Sequence, residues 1–196
     1  MKNRLLAAAA AVFLCACATS VKRVGTDTTI DLSGRWNDAD SRMAAEELIS
    51  DCLARSWILQ ASAATGSKPT VIVGTVRNLS SEHLNTTVLV EDLQRALINS
   101  GRVTFVASRA ERGELREERL EQAVNSSEET RKEHGREIGA DFMLSGSVNT
   151  IEDREGGRSV VLYQVDMKLL DLESNQIVWS GQKKIKKAVK RSRATW

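Results

Sequence analysis

The alternation of apolar and polar positions along the chain predicts two amphipathic helices in its first half. Behind the cap residues Asn37 and Asp38, apolar residues recur at helical spacing as far as Leu53. A second helix is expected over residues 87–100, where Gly101 ends it. Two apolar runs, TTIDL at 28–32 and TVIVGTV at 70–76, predict strands, the second of them buried.

The middle of the chain adds a crossover and two charged helices. The run RVTFVAS at 102–108 predicts a strand, and a strand, a helix and a strand at this spacing predict a right-handed crossover between parallel strands. Ser108 and Ser126 are each followed three residues later by Glu, the capping-box pattern that begins a helix. The charges that follow predict solvated helix faces, because apolar positions are too sparse for a coiled coil.

The last third predicts β structure. Residues 142–151, 159–172 and 176–185 each read as a strand, separated by the turn sequences EGG at 155–157 and ESN at 173–175. Three strands joined by short turns predict an antiparallel meander. The expected fold is therefore an α/β (α+β) sandwich, in which helices pack on a mixed sheet that combines a βαβ crossover with a C-terminal meander.

The N-terminus predicts export. Lys2 and Arg4 precede a short apolar run, which ends Leu14-Cys15-Ala16-Cys17 and resembles the bacterial lipobox. That resemblance implies removal of residues 1–16, acylation of Cys17 and, with Ala18 rather than Asp next, an outer-membrane location facing the periplasm. A plain secretory signal is the alternative. The expected division is then a signal peptide at 1–16, a tether at 17–27, one globular domain at 28–187 and a basic tail at 188–196.

Charge and cysteine usage add two expectations. The chain has 28 basic and 26 acidic residues, but seven of the basic ones lie from Lys183 onward, where no acidic residue occurs. This C-terminal segment is a candidate for contact with an anionic surface, namely lipid headgroups, lipopolysaccharide or acidic groups of the cell wall, or is simply a solvated tail. Nucleic acid is not an expected partner of an exported lipoprotein. Cys52 falls on the apolar face of the first helix and is expected to be a buried, unreactive thiol.

No motif in the chain predicts catalysis. The two histidines, His83 and His134, lack metal-ligand spacing, and no phosphate loop, nucleophile motif or cofactor site is found. We therefore expect a protein that is not an enzyme and needs no metal or cofactor. The polar loop at 77–86 follows a buried strand, where binding loops concentrate, so it is the candidate partner surface, with an ordinary connection as the alternative. Its candidate contact residues are Arg77, Asn78, Ser80, Glu82 and His83.

Several segments together resemble one protein family. NSGRVTFVAS, GADFMLSGSV, the loop Arg77-Asn78-Leu79-Ser80 and the strand NQIVWSG at 175–181 are similar to the LpoB family of penicillin-binding-protein activator lipoproteins, over residues 70–187. The resemblance implies a TolB-N-like fold and an outer-membrane lipoprotein that activates a bifunctional peptidoglycan synthase by contact. The short tether departs from the long one of better-known members. An envelope scaffolding lipoprotein with another partner is therefore the alternative function.

Overall fold

The computed structural model describes residues 20–26, 28–125 and 138–190. The chain divides into two compact units, residues 1–30 and residues 31–196. In the first unit, the described residues form neither helix nor strand, and the carbonyl of Gly25 accepts a hydrogen bond from the amide of Thr28 at 3.0 Å. The predicted strand at 28–32 is therefore wrong, since TTIDL finds no neighbouring strand to pair with.

The second unit is built on a five-stranded mixed sheet. Its strands are β1 (Thr70–Asn78), β2 (Thr104–Phe105), β3 (Phe142–Glu155), β4 (Arg158–Asp171) and β5 (Ile177–Lys190). They lie in the order β2-β1-β3-β4-β5, with β1 parallel to both of its neighbours and the last three strands antiparallel. The mixed sheet, the parallel pair of the βαβ unit and the meander are confirmed. The second strand of that unit is only two residues long.

The long hairpins extend further than their sequence patterns indicated. Gly156 and Gly157 both adopt positive φ, at 54° and 81°, as the two-residue turn between β3 and β4 requires. β5 continues to Lys190, so residues 188–190, expected in a basic tail, are part of the sheet. Pairing across the ladder extends strands whose own sequences are too polar to predict them.

Four helices are described: α1 (Asp38–Leu53), α2 (Trp57–Thr65), α3 (Thr86–Asn99) and α4 (Arg109–Asn125). A capping box begins α1, in which Asn37 and Asp40 exchange hydrogen bonds of 2.9 and 3.0 Å. Another begins α4 at Ser108, as predicted. The helix expected after Ser126 lies outside the described residues. α2 lies between α1 and Pro69, where the sequence pattern predicted neither helix nor strand, and it buries Trp57 and Ile58 in the core.

The core lies between one face of the sheet and helices α1, α2 and α3. Val71, Leu144, Met167 and Trp179 line the inner face of the sheet. Cys52 lies among the buried helix residues, and burial raises the pKa of its thiol to about 12. The predicted burial of Cys52 is confirmed, and the raised pKa disfavours the reactive thiolate form. The described side chains of α4 are largely exposed, and α4 contributes no residue to this core cluster.

None of the described helices is both long enough and apolar enough to cross a lipid bilayer.

Candidate functional site

The loop after β1 is shaped by its own side chains. Asn78 accepts hydrogen bonds from the amide and hydroxyl of Ser80 at 3.0 and 2.6 Å, and its own amide group donates to the carbonyl of Glu82 at 2.7 Å. The Ser80 hydroxyl in turn accepts from the Glu82 amide at 3.2 Å. Side-chain bonds of this kind replace the ladder bonds that end with the strand. The loop therefore has one defined conformation before any partner arrives.

Three contacts fasten this loop to the sheet. The amide of Leu79 donates to the carbonyl of Val148 at 2.8 Å, and that of Ser81 to Thr150 Oγ1 at 3.1 Å. The hydroxyl of Tyr163, on β4, donates to Glu82 Oε1 at 2.8 Å. Burial raises the pKa of the Tyr163 phenol well above its usual value, and the hydrogen-bonded Glu82 carboxylate adds to this effect. The phenol therefore stays protonated as a donor.

A polar groove of about 600 Å³ opens beside the loop. The segment 33–36 forms one wall, residues 81–84 form another, and the ends of β3, β4 and β5 close the groove. Glu82 and His83 both line it, and His83 is exposed. Opposite them, Arg154 Nη2 lies 2.6 Å from Glu152 Oε2. The groove therefore presents charges of both signs and a histidine to the solvent.

The wall at 33–36 is held by a lysine that sequence analysis did not single out. Lys187 Nζ, on β5, lies 2.6 Å from Asp31 Oδ1, 2.6 Å from Asp40 Oδ2 and 3.0 Å from the carbonyl of Arg35. Desolvation lowers the pKa of Lys187, but the hydrogen bonds to the two carboxylates outweigh it, so the pKa is raised overall. The hydrogen bond from Lys187 also lowers the pKa of Asp31.

Trp36 completes this wall. Its indole Nε1 donates to Ser41 Oγ at 2.8 Å, and its ring meets that of Tyr163 edge to face at a centroid distance of 5.5 Å. In the sequence, only the alternation of β5 pointed to Lys187, because it places Lys187 on the same face of the strand as Ile185. That alternation does not say which carboxylates face it, because they come from 147 or more positions earlier in the chain.

The structure brings together four of the five candidate contact residues. Asn78 and Ser80 shape the loop, while Glu82 and His83 line the groove. Arg77 is separated from them, because it pairs with Ser147 in the ladder and its side chain lies on the other face of the sheet. There it lines a second cavity, of about 630 Å³, together with residues such as Asp166 and Lys168. The assignment of all five residues to partner contact stays a prediction, with Arg77 on a different face of the sheet from the groove.

The groove has the chemistry of a recognition surface. Among the described residues, no three His, Cys, Asp or Glu side chains lie close enough to hold a metal ion. The carboxylate of Glu82, the residue before His83, accepts a hydrogen bond from the Tyr163 hydroxyl. His134, the other histidine, lies outside the described residues. Hydrogen-bonding groups fixed in place around an open groove can recognise a partner by shape and charge.

Three solved structures are similar to this chain. The LpoB C-terminal domain from Escherichia coli is 18% identical, covering 74% of this chain and 98% of that one, with a TM-score of 0.45. The NMR structure of E. coli LpoB is also 18% identical, covering 89% and 83%, with a TM-score of 0.43. Lipoprotein GNA1162 from Neisseria meningitidis is 15% identical, covering 64% and 88%, with a TM-score of 0.40. No curated protein sequence matches the chain.

A family model gives the decisive match. The model described as peptidoglycan-synthase activator LpoB matches residues 40–185, which is well over half of the chain and includes most of α1, all of α2 to α4 and most of the sheet. The resemblance noted over residues 70–187 is thereby confirmed and extended to the first helix. The family is one of regulatory activators rather than catalysts, and membership supports a role as an activator of a peptidoglycan synthase. The chain belongs to the LpoB family of peptidoglycan-synthase activators.

Proposed function

We propose that this protein is an outer-membrane lipoprotein that binds a class A penicillin-binding protein in the periplasm and activates it without catalysing a reaction itself. Membership of the activator family supports this role, and members of the family are envelope lipoproteins. The lipobox-like sequence at 14–17 supports attachment of the protein through lipid on Cys17. Several acyl chains at one cysteine make anchoring stable, whereas one chain gives only marginal binding.

We propose that the loop at 77–86 and the adjoining groove contact the synthase. The observation that carries this assignment is the fixed conformation of the loop, set by Asn78 and Ser80 and fastened through Glu82 to Tyr163. A preorganised loop loses little conformational entropy on binding, so more of its contact energy appears as affinity. Because Arg77 lies on the other face of the sheet, a partner that contacts both Arg77 and the groove has to extend past the end of β1.

Activation by contact requires only a difference in affinity. If the protein binds the active form of the synthase more tightly than the inactive form, it shifts the population toward activity by that difference. A tenfold gain in active synthase corresponds to about 1.4 kcal/mol. A small interface of a few well-placed side chains is sufficient for an effect of this size.

The test is a glycan-polymerisation assay with a purified class A synthase and the full-length lipidated protein in detergent. We expect stimulation by the native protein, and at least a fivefold weaker affinity for His83→Ala if His83 is a contact worth about 1 kcal/mol. Gln60 is an exposed residue of α2, so Gln60→Ala is the control and is expected to behave as the native protein. Absence of binding and stimulation for the native protein would refute the proposed function.

One observation favours a second function, that of an envelope scaffold with another periplasmic partner. Only residues 18–30 separate Cys17 from the folded unit that begins at Asp31, and fully extended they span at most about 45 Å. An anchored domain with this tether stays close to its own membrane. Inserting an inert spacer after Ala18 separates the two functions, because an activator limited by reach gains activity in cells whereas a local scaffold does not.

A further inference from the structure

The five lysines of β5 lie in two different environments. Lys183 and Lys187 project from the face that the helices cover, and each forms an ion pair with a carboxylate of α1. Lys184, Lys186 and Lys190 project from the opposite face, where they are exposed. Within the part of the chain that the structure describes, none of these three forms a salt bridge. The strand thus separates neutralised lysines from uncompensated ones.

The uncompensated lysines border an apolar patch. In the ladder, Lys186 lies beside Leu162 on β4, and Leu162 lies beside Ile151 on β3. Leu162 is half-buried, and Ile151 is 68% exposed although it is a large aliphatic side chain. We call Ile151, Leu162, Lys184, Lys186 and Lys190 the lysine face. No described helix contributes to it, because α1, α2 and α3 pack on the other side of the sheet.

One carboxylate borders the lysine face on β4, because Asp166 lies opposite Gln182, two positions along β5 from Lys184. This carboxylate accepts hydrogen bonds from Gln164 and Gln182 at 2.8 Å each. The other acidic residues of this face are further from β5. Asp153 and Glu155 are on β3, which is separated from β5 by β4. Two strand spacings place them roughly 10 Å from the lysine row. Glu155 is also directly opposite Arg158 in the ladder, a favourable cross-strand pair. Three lysines beside one hydrogen-bonded carboxylate leave the lysine face with a net positive charge.

We propose that the lysine face docks on an anionic phospholipid membrane surface, with the ammonium groups at lipid phosphates and Ile151 and Leu162 at the boundary of the acyl chains. Charge complementarity argues for this occupant over the others. A second copy of this chain would bring like-charged rows together, and the buried centres of protein interfaces are depleted of lysine. Lipid headgroups rearrange laterally, so they can match ammonium groups that are spaced about 7 Å apart along a strand.

This contact goes beyond activation of a synthase, because it fixes the orientation of the domain relative to the membrane surface. Basic residues near an anionic leaflet each strengthen binding about fivefold, so three lysines together contribute on the order of 100-fold. Such a contact is salt-dependent, because the potential of the surface decays over about 8 Å at physiological ionic strength. The face is on the opposite side of the sheet from the groove at 33–36 and 81–84. Docking therefore leaves that groove available to a partner.

The experiment measures binding of the full chain carrying Cys17→Ser, which has no acyl attachment at that position. Vesicles of phosphatidylcholine alone are compared with vesicles containing 30% phosphatidylglycerol, and the difference between them is the anionic-lipid component. We expect Lys184→Gln/Lys186→Gln to weaken this component about 25-fold. Lys68→Gln/Arg102→Gln removes the same charge from exposed loops outside the sheet and is expected to change it less than twofold.

A second variant separates the two parts of the contact. Ile151→Ser is expected to weaken binding several-fold at high salt, where the charge contribution is screened. Equal binding to neutral and anionic vesicles, or an equal loss in both double variants, would overturn the proposal. So would retention on purified cell-wall sacculi without any vesicle component, because the face would then bind a polymer. Since neither acylation nor a synthase enters the measurement, its outcome is independent of the proposed function.

Discussion

Replacing Lys187 by Met isolates the ion cluster that joins β5 to the segment before α1. Lys187 is 9% exposed and its partner Asp40 is 3% exposed, whereas Asp31 is 49% exposed. Methionine keeps the aliphatic contacts of the lysine stem, so the substitution removes charge without opening a large cavity. What it leaves behind is the buried carboxylate of Asp40, whose remaining hydrogen bond comes from the amide of Asn37 at 2.9 Å.

The expected loss of stability follows from that burial. Removing one partner of a buried ion pair costs about 3–5 kcal/mol, and the retained bond from Asn37 places this case near the lower end, at about 3 kcal/mol. For a unit of this size, that corresponds to a fall of about 6–12 °C in Tm. The control is Lys183→Met on the same face of β5, because its partner Glu47 is 61% exposed. Such a surface pair contributes less than about 1 kcal/mol.

Urea unfolding followed by tryptophan fluorescence measures the free energy of unfolding of both variants, and the denaturant slope m is checked to be equal in the two.

The pH dependence of the unfolding free energy is a second test of this ion cluster. The raised pKa of Lys187 means that its contribution is complete below its unfolded pKa and is lost as pH rises through the folded value. The lowered pKa of Asp31 means that its contribution is lost as pH falls through its folded value. The loss of unfolding free energy caused by Lys187→Met is therefore expected to be largest near neutral pH and to become smaller as the pH falls. A loss no greater than that of Lys183→Met would refute this reasoning.

Three further predictions concern other contacts. Tyr163→Phe leaves Glu82 without its donor and is expected to cost about 1–2 kcal/mol of unfolding free energy and to weaken synthase binding, as measured by denaturation and by the polymerisation assay. Gly146→Ala places a methyl group against the backbone oxygen of Asp166 and is expected to cost at least about 2 kcal/mol; an unchanged Tm would contradict it. Cys52, with its thiol pKa near 12, is expected to resist alkylation at pH 8 until urea unfolds the protein, as mass spectrometry can show.

Local patterns predicted most of the regular structure, and the errors have physical causes. The helix after Asn37 and the three long strands were predicted because their spacing or alternation is visible within one element. The strand at 28–32 was predicted from β-branched content, but a strand exists only where a neighbour pairs with it. α2 was missed because its helical character depends on burying Trp57 and Ile58 against residues distant in sequence.

The candidate site was predicted only in part. The loop predicted at 77–86 spans residues 79–85, because β1 continues to Asn78 and α3 begins at Thr86. Polar residues following a buried strand were the local signal that located it. The separation of Arg77 from the rest was not predicted, although ladder alternation requires it once the end of the strand is known. The contributions of Lys187, Tyr163 and Trp36 to the groove depend on contacts between residues more than 100 positions apart.

By itself, the sequence determined most of the helices and strands and the family resemblance, because caps, periodicity and motifs act over a few neighbouring residues. Only the tertiary structure decided which side of β5 each lysine occupies and which carboxylates neutralise Lys187. The physical reason is that a strand fixes alternation, whereas the surroundings of each face are set by helices from elsewhere in the chain. The same residue type is thus a buried structural ion at position 187 and an exposed positive charge at position 186.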